Sequence, residues 1–198
     1  MSNQSIIKEA RKLAEKTHDK VFLKYHISLV VKYALKLAEI KGGDKEILEI
    51  AAWLHDISWT ENSKLGKLNK HHIDSAKIAE KFLRRLRYSE DKIKKVVECI
   101  LCHRGVIKEF KPKSLESKIL RNASAMAHLE TFLDLFAWNT KKRGLENAID
   151  YISKKLKRDW KRKITFPEAK QMVKKYYEAA KILIDNMNKI RQQTSYKS

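Results

Sequence analysis

Apolar residues recur along most of the chain at spacings of three and four, the pattern of helices that bury one face. Ile6, Ile7, Ala10, Leu13 and Ala14 form the first stripe, over residues 5–17. A broader stripe follows over 22–41, with Leu23, His26, Ile27, Val30, Val31, Ala34, Leu35 and Leu37, and Gly42 and Gly43 stop it. Asp44 stands where it caps the next helix, 45–57, which holds the run AAWLHDIS. Residues 58–70 lose the periodicity and read as a polar, irregular loop. Helices resume over 71–86 and from Ser89 to near His103, and a basic loop interrupted by Pro112 covers 104–113. Ser114 then caps a long helix with Leu115, Ile119, Leu120, Ala123, Met126, Ala127 and Leu129 on one side, continuing toward Trp138. After Gly144 two more helices are expected, 145–162 and 166–192, with Pro167 at a helix start and a frayed tail beyond. No repeat and no run of period two appears, so the reading is an all-α bundle.

Composition agrees: 43% hydrophobic and 34% charged residues in 198, with only five glycines and two prolines. That length suits a single sizeable domain, or a domain with an elaborated end. No apolar stretch approaches the roughly 18 residues a membrane span needs, and the first residues lack the apolar core of a secretory signal. Cys99 and Cys102 stand three apart without a second pair, so they read as buried thiols in a reducing cytoplasm rather than a zinc site. The net charge of +20 favours anionic partners, or else a lysine-rich solubilising surface.

Polar residues inside the apolar stripes change the picture. His26 lies on an apolar helix face, His55 and Asp56 end the oily run 51–57, His71 opens a helix and His103 closes one. A single such histidine is ordinarily a hydrogen-bonded core residue. Several imidazoles and one carboxylate at helix ends make a ligand set for a divalent transition metal if packing brings them together. His18 and His128 lack that setting and read as structural or surface residues.

The ordered set H…HD…H…H, carried by YHISLVVKYALKLA (25–38), AAWLHDIS (51–58), HHIDSAKIAEKFL (71–83), VVECILCHRG (96–105) and KILRNASAMAHL (118–129), resembles the HD superfamily of metal-dependent phosphohydrolases. The resemblance implies an HD-domain helical bundle over residues 1–140, with extra C-terminal helices over 141–198 packing on the same domain. It implies that His26, His55 and Asp56 bind a primary metal, and that His71 and His103 hold a second. His71 is favoured over His72 by its spacing to Ser75 and Ala76. The family closes its site with a later aspartate, and here that stretch reads Asn122, Ala123, Ser124. Three readings stay open: Asn122 or Ser124 gives the metal a neutral oxygen, water or a substrate phosphate takes the place, or the chain is a non-hydrolytic member.

What the resemblance implies chemically is a cytoplasmic phosphohydrolase with one or two ions of Mn, Co, Ni, Zn or Fe, acting on a nucleotide or related phosphate ester through metal-activated water. Asp56 is then both ligand and proton acceptor, while Arg104, Lys67 and Lys70 are candidates to steady phosphoryl charge. Trp59 is a candidate to cover a base or sugar, or else a packing anchor. A different class competes: a degenerate scaffold binding nucleic acid through basic stretches such as SKKLKRDWKRK (153–163).

Overall fold

The computed structural model describes residues 3–104 and 109–194. Residues 105–108 of the basic loop, and the end of the expected frayed tail from 195 onward, lie outside the described residues. The chain forms two compact units, Met1–Ala127 and His128–Ser198. All regular structure among the described residues is helical.

The first unit holds α1 (Asn3–Thr17), α2 (Lys20–Phe22), a π turn (Leu23–Ile27), α3 (Ser28–Lys41), α4 (Lys45–Leu54), α5 (Trp59–Lys64), a 3-10 turn (Leu68–Lys70), α6 (His71–Arg85), α7 (Glu90–Cys102) and most of α8 (Leu115–Glu130). The sequence KEILEIAAWL makes α4 apolar nearly all round, and such a helix must be surrounded to be stable. It packs against α1, α3, α6 and α7, with Ile47, Leu48, Ile50, Ala51, Ala52 and Leu54 fully buried. Each large aliphatic side chain so removed from water contributes about 1.5–3 kcal/mol.

The turn into α4 is built from short-range chemistry. Gly42 takes a left-handed φ of 85° to end α3, and its N–H donates to Ala38 O at 2.8 Å. The Asp44 carboxylate accepts from Glu46 N and Ile47 N at 3.0 and 3.2 Å, the expected cap. Glu98 of α7 fastens the start of α8 by accepting from Lys113 N, Ser114 N and Ser117 Oγ at 2.9–3.0 Å. Partial burial pushes the Glu98 carboxyl up, but those bonds outweigh it and hold it below its ordinary value.

Three sequence expectations are corrected. The segment 58–70 is not irregular: Ser58 and Asn62 are buried and bonded to each other at 3.0 Å, which folds the polar run into α5 and the 3-10 turn. The helix expected over 45–57 stops at Leu54, and 55–58 form tight turns closed by Ile57 N to Leu54 O and Trp59 N to Asp56 O. The helix expected to run on to Trp138 breaks at Thr131 (φ −105°, ψ 38°), a β-branched residue of low helix preference.

The second unit contains α9 (Phe132–Arg143), α10 (Leu145–Arg158), a second π turn (Asp159–Lys163) and α11 (Pro167–Thr194), with α10 packed against both α9 and α11. The division expected after residue 140 lies inside α9. Asp159 is buried, and its carboxylate accepts from Lys155 Nζ at 2.7 Å and Arg158 Nε at 3.1 Å. No described helix is long and apolar enough to cross a membrane.

Candidate metal centre

Four helix ends of the first unit bring five side chains together. His26 sits in the π turn before α3, His55 and Asp56 in the turn after α4, His71 on the first residue of α6, and His103 just past α7. All five are buried. A helix end lets a side chain point along the axis into the core, which a mid-helix position does not. The π turn adds a residue to the helical repeat and so re-aims what it carries.

Asp56 joins two groups. Its Oδ2 lies 3.2 Å from His26 Nε2 and 3.3 Å from His55 Nε2, and those two nitrogens are 3.2 Å apart. Its Oδ1 lies 3.3 Å from both His71 Nε2 and His103 Nε2, themselves 3.3 Å apart. The sets His26, His55, Asp56 and Asp56, His71, His103 each gather ligand atoms within 4.8 Å of one another.

The hydrogen bonds behind the rings decide what these contacts are. His55 Nδ1 donates to Ala52 O at 2.7 Å, His71 Nδ1 to Leu68 O at 2.5 Å, and His103 Nδ1 to Ile100 O at 2.6 Å. A carbonyl only accepts, so each Nδ1 carries the proton and each neutral ring presents a bare Nε2 lone pair to the centre. Lone pairs facing a carboxylate at 3.2–3.3 Å repel unless a cation lies among them. Asp56 Oδ1 is buried and makes no hydrogen bond. Neutral imidazoles locked by backbone carbonyls and one shared carboxylate fit a divalent transition metal at each group.

Electrostatics are consistent with that assignment. Burial lowers the His103 pKa from 6.5 to about 3, and burial likewise lowers His71, so both rings stay neutral at neutral pH. Burial pushes Asp56 up, but the surrounding rings of His55, His71, His103 and His26 outweigh it and hold the carboxyl well below its ordinary value.

Around the five lies a supporting layer. Ser58 Oγ donates to His71 O at 2.8 Å, and Ser75 Oγ accepts from Ser58 N at 3.1 Å, which ties the Asp56 turn to α6. Trp59 meets His71 edge-on at 5.0 Å and stacks on Phe22 at 6.0 Å, so it packs the centre's wall. Phe22 in turn packs against His26 at 5.1 Å.

His18, read from sequence as structural or surface, is buried beside this wall: its ring lies 5.0 Å from Phe22 and its Nδ1 3.3 Å from Thr60 Oγ1. Burial lowers its pKa to about 4, while the Asp56 charge raises it. Its spacing, four residues before Phe22 and eight before His26, was the available signal.

The remaining candidates are placed as follows. Arg104 is half-buried, donates from Nη1 to Asn69 O, and acts electrostatically on His71 and His72. Lys67, just before the 3-10 turn, and Lys70, at its end, are exposed, with no described contact to the five residues. Asn122 and Ser124 are both buried in α8, and Asn122 Nδ2 donates to Lys118 O at 2.8 Å. Two residues apart on a helix they point about 200° from each other, so at most one faces any given site. His72 is buried but stands outside both ligand groups. His128 lies in the second unit, its Nδ1 3.2 Å from Lys155 Nζ. Cys99 and Cys102 are buried free thiols whose pKa values burial raises.

Comparison with known proteins accords with this geometry. Among solved structures the chain is similar to the Lin1889 protein from Listeria innocua, with 19% identity, a TM-score of 0.70, and coverage of 97% of this chain and 98% of that one. It is also similar to a predicted HD superfamily hydrolase from an uncultured Thermotogales bacterium, with 23% identity, a TM-score of 0.51, and coverage of 79% and 88%. At these identities the likeness carries the fold. No relative was found among curated proteins. Residues 23–129, more than half of the chain and the span that holds all five converging side chains, match the HD domain, and the chain belongs to that superfamily of metal-dependent hydrolases.

Proposed function

We propose that this protein is a metal-dependent phosphohydrolase acting on a nucleotide or a related phosphate ester. The observation that carries the reading is the shared carboxylate: each oxygen of Asp56 faces its own pair of histidine Nε2 atoms at 3.2–3.3 Å. His26, His55 and Asp56 would hold one divalent ion, and Asp56, His71 and His103 a second. A bound ion supplies Lewis acidity and brings the pKa of its water toward about 7.

The chain's own groups do the rest. The carbonyls of Ala52, Leu68 and Ile100 fix the ring tautomers, so the ligand nitrogens need not lose a proton before binding. Asp56 would be the proton acceptor for the attacking water once metal is bound. Arg104, beside His71 and anchored on Asn69, is the cation suited to phosphoryl oxygens, since a guanidinium matches their geometry. Lys67 and Lys70 are exposed cations that would guide an anionic substrate inward, in keeping with the charge of +20. Asn122 or Ser124 leaves Asp56 as the single carboxylate of the ligand groups, which favours imidazole-preferring ions such as Fe, Co, Ni or Zn over Mg.

The test is phosphate release from a panel of nucleotides and simple phosphate esters with Mn²⁺, Co²⁺, Ni²⁺, Zn²⁺, Fe²⁺ or Mg²⁺. Turnover is expected with at least one transition metal, less with Mg²⁺, and none for Asp56→Ala. Buried neutral side chains where the family carries an aspartate support a second reading, a nucleic-acid-binding protein on a non-hydrolytic scaffold. No turnover with any metal, together with salt-sensitive binding to nucleic acid unchanged in Asp56→Ala, would establish that reading instead.

A further inference from the structure

His72 is buried, with 2% of its surface exposed, yet neither ring nitrogen has a hydrogen-bond partner. Its ring lies 5.7 Å from His71 and 5.2 Å from Phe110, both edge-on contacts that satisfy no polar atom. A phenylalanine would fill that space without leaving two nitrogens unpaired, so this imidazole is held at a cost in stability. Orphaned buried polar groups of this kind mark a place where something else completes the bonding.

Two neighbours say what that is. His72 lies in the first turn of the 15-residue α6, whose start has no side-chain cap. The opening N–H groups of a helix lack partners within it and carry the positive end of its dipole. The Arg104 guanidinium reaches the same helix start by donating to Asn69 O, and its charge acts on both His71 and His72. Together a positive helix end and a guanidinium exclude a third cation and favour an anion.

We infer that the first turn of α6, the His72 imidazole and Arg104 form an anion-binding corner beside the His71–His103 pair, which takes the phosphoryl oxygens of the substrate. This assignment deepens the phosphohydrolase reading and rests on it. His72 supplies a neutral N–H to one oxygen, Arg104 two N–H groups to others, and the adjoining His71 keeps the bound group next to the metal ligands. His72 is thus a substrate-binding residue, outside the metal's own ligand set.

The experiment titrates inorganic phosphate into the Mn²⁺-loaded full-length protein by calorimetry, with metal content and metal-free melting temperature measured alongside. His72→Phe is expected to bind as much metal as wild type, to melt higher without metal, and to bind phosphate at least tenfold more weakly. His72→Gln, which restores a donor, should recover part of that loss. Wild-type phosphate affinity in His72→Phe, with affinity lost in Arg104→Ala, would overturn the role of His72 and leave the phosphohydrolase reading standing. A glutamine variant as weak as the phenylalanine one would also count against it. If metal-loaded wild type binds no phosphate at all, the phosphohydrolase reading fails and this inference fails with it.

Discussion

Asp56 is buried in contact with four imidazole nitrogens, three of which carry lone pairs toward the centre because their rings donate backward. Without metal this is an unfavourable arrangement, and an amide in place of the carboxylate would give those nitrogens an N–H to accept. Asp56→Asn is therefore expected to stabilise the metal-free protein by about 1–3 kcal/mol and to abolish the rise in melting temperature on adding metal. Calorimetric melts with and without chelator check both halves, and a retained metal-induced rise would show that Asp56 is not a shared ligand. The same residues set a pH dependence. His103 has its pKa near 3 when folded against 6.5 as a free side chain, and His72 and His18 lie near 4. Between those values the unfolded chain takes up protons that the native protein refuses, so stability falls as pH drops from about 6.5 toward 4. Asp56, whose pKa is lowered, contributes stability above its ordinary value and loses it only at lower pH, so the two effects act in the same direction. Urea midpoints of the metal-free protein should be level above about pH 7 and decline steadily from 6.5 to 4. A flat profile across that window would contradict the buried, neutral state of these rings.

Helix ends, rather than helix faces, build the centre. The π turn at Leu23–Ile27 delivers His26, the stop of α4 at Leu54 frees His55 and Asp56 to turn inward, and the first residue of α6 delivers His71. The turn between α3 and α4 sets the start of the helix that ends in His55 and Asp56. A Cβ on Gly43 would meet Ile119 Cδ1 at 2.8 Å and Leu48 Cδ1 at 3.1 Å, closer than packed atoms tolerate. Gly43→Ala should cost about 1–3 kcal/mol through displacement of those two side chains. Asp44→Ala should cost about 1 kcal/mol by uncapping α4. Chemical denaturation measures both. Neither position touches the ligand set, so metal stoichiometry should stay at the wild-type value, and a loss of metal would mean that α4 is set less firmly by its core than by its cap.

At the scale of the molecule, every candidate metal ligand lies in the unit Met1–Ala127. Metal binding should stabilise by about 2.7 kcal/mol per site at a free concentration a hundredfold above the dissociation constant. In hydrogen exchange, the added protection is expected along 23–27, 52–58, 68–75 and 100–104, the segments that carry ligands and the carbonyls holding their rings. Protection that appears instead along α10 and α11 would locate the metal in the second unit and remove the basis of the proposed chemistry.

The helices and the five side chains that converge in the first unit were legible along the chain. Helical periodicity is local, a response of each segment to having one face in water and one out, so α1, α3, α6, α7 and α11 were legible from spacing alone. The set His26, His55, Asp56, His71 and His103 was legible because polar residues interrupt apolar stripes, and such interruptions need a compensating partner. The rest depends on contacts between segments distant in the chain. Ser58 and Asn62 turned a polar stretch into helix by bonding to α6 and to each other. Thr131 ended a helix whose apolar pattern runs on. His72 became part of the centre's surroundings through burial against Phe110, which no spacing encodes. The division of labour between the two oxygens of Asp56 was likewise settled in space, because it depends on where four helix ends meet.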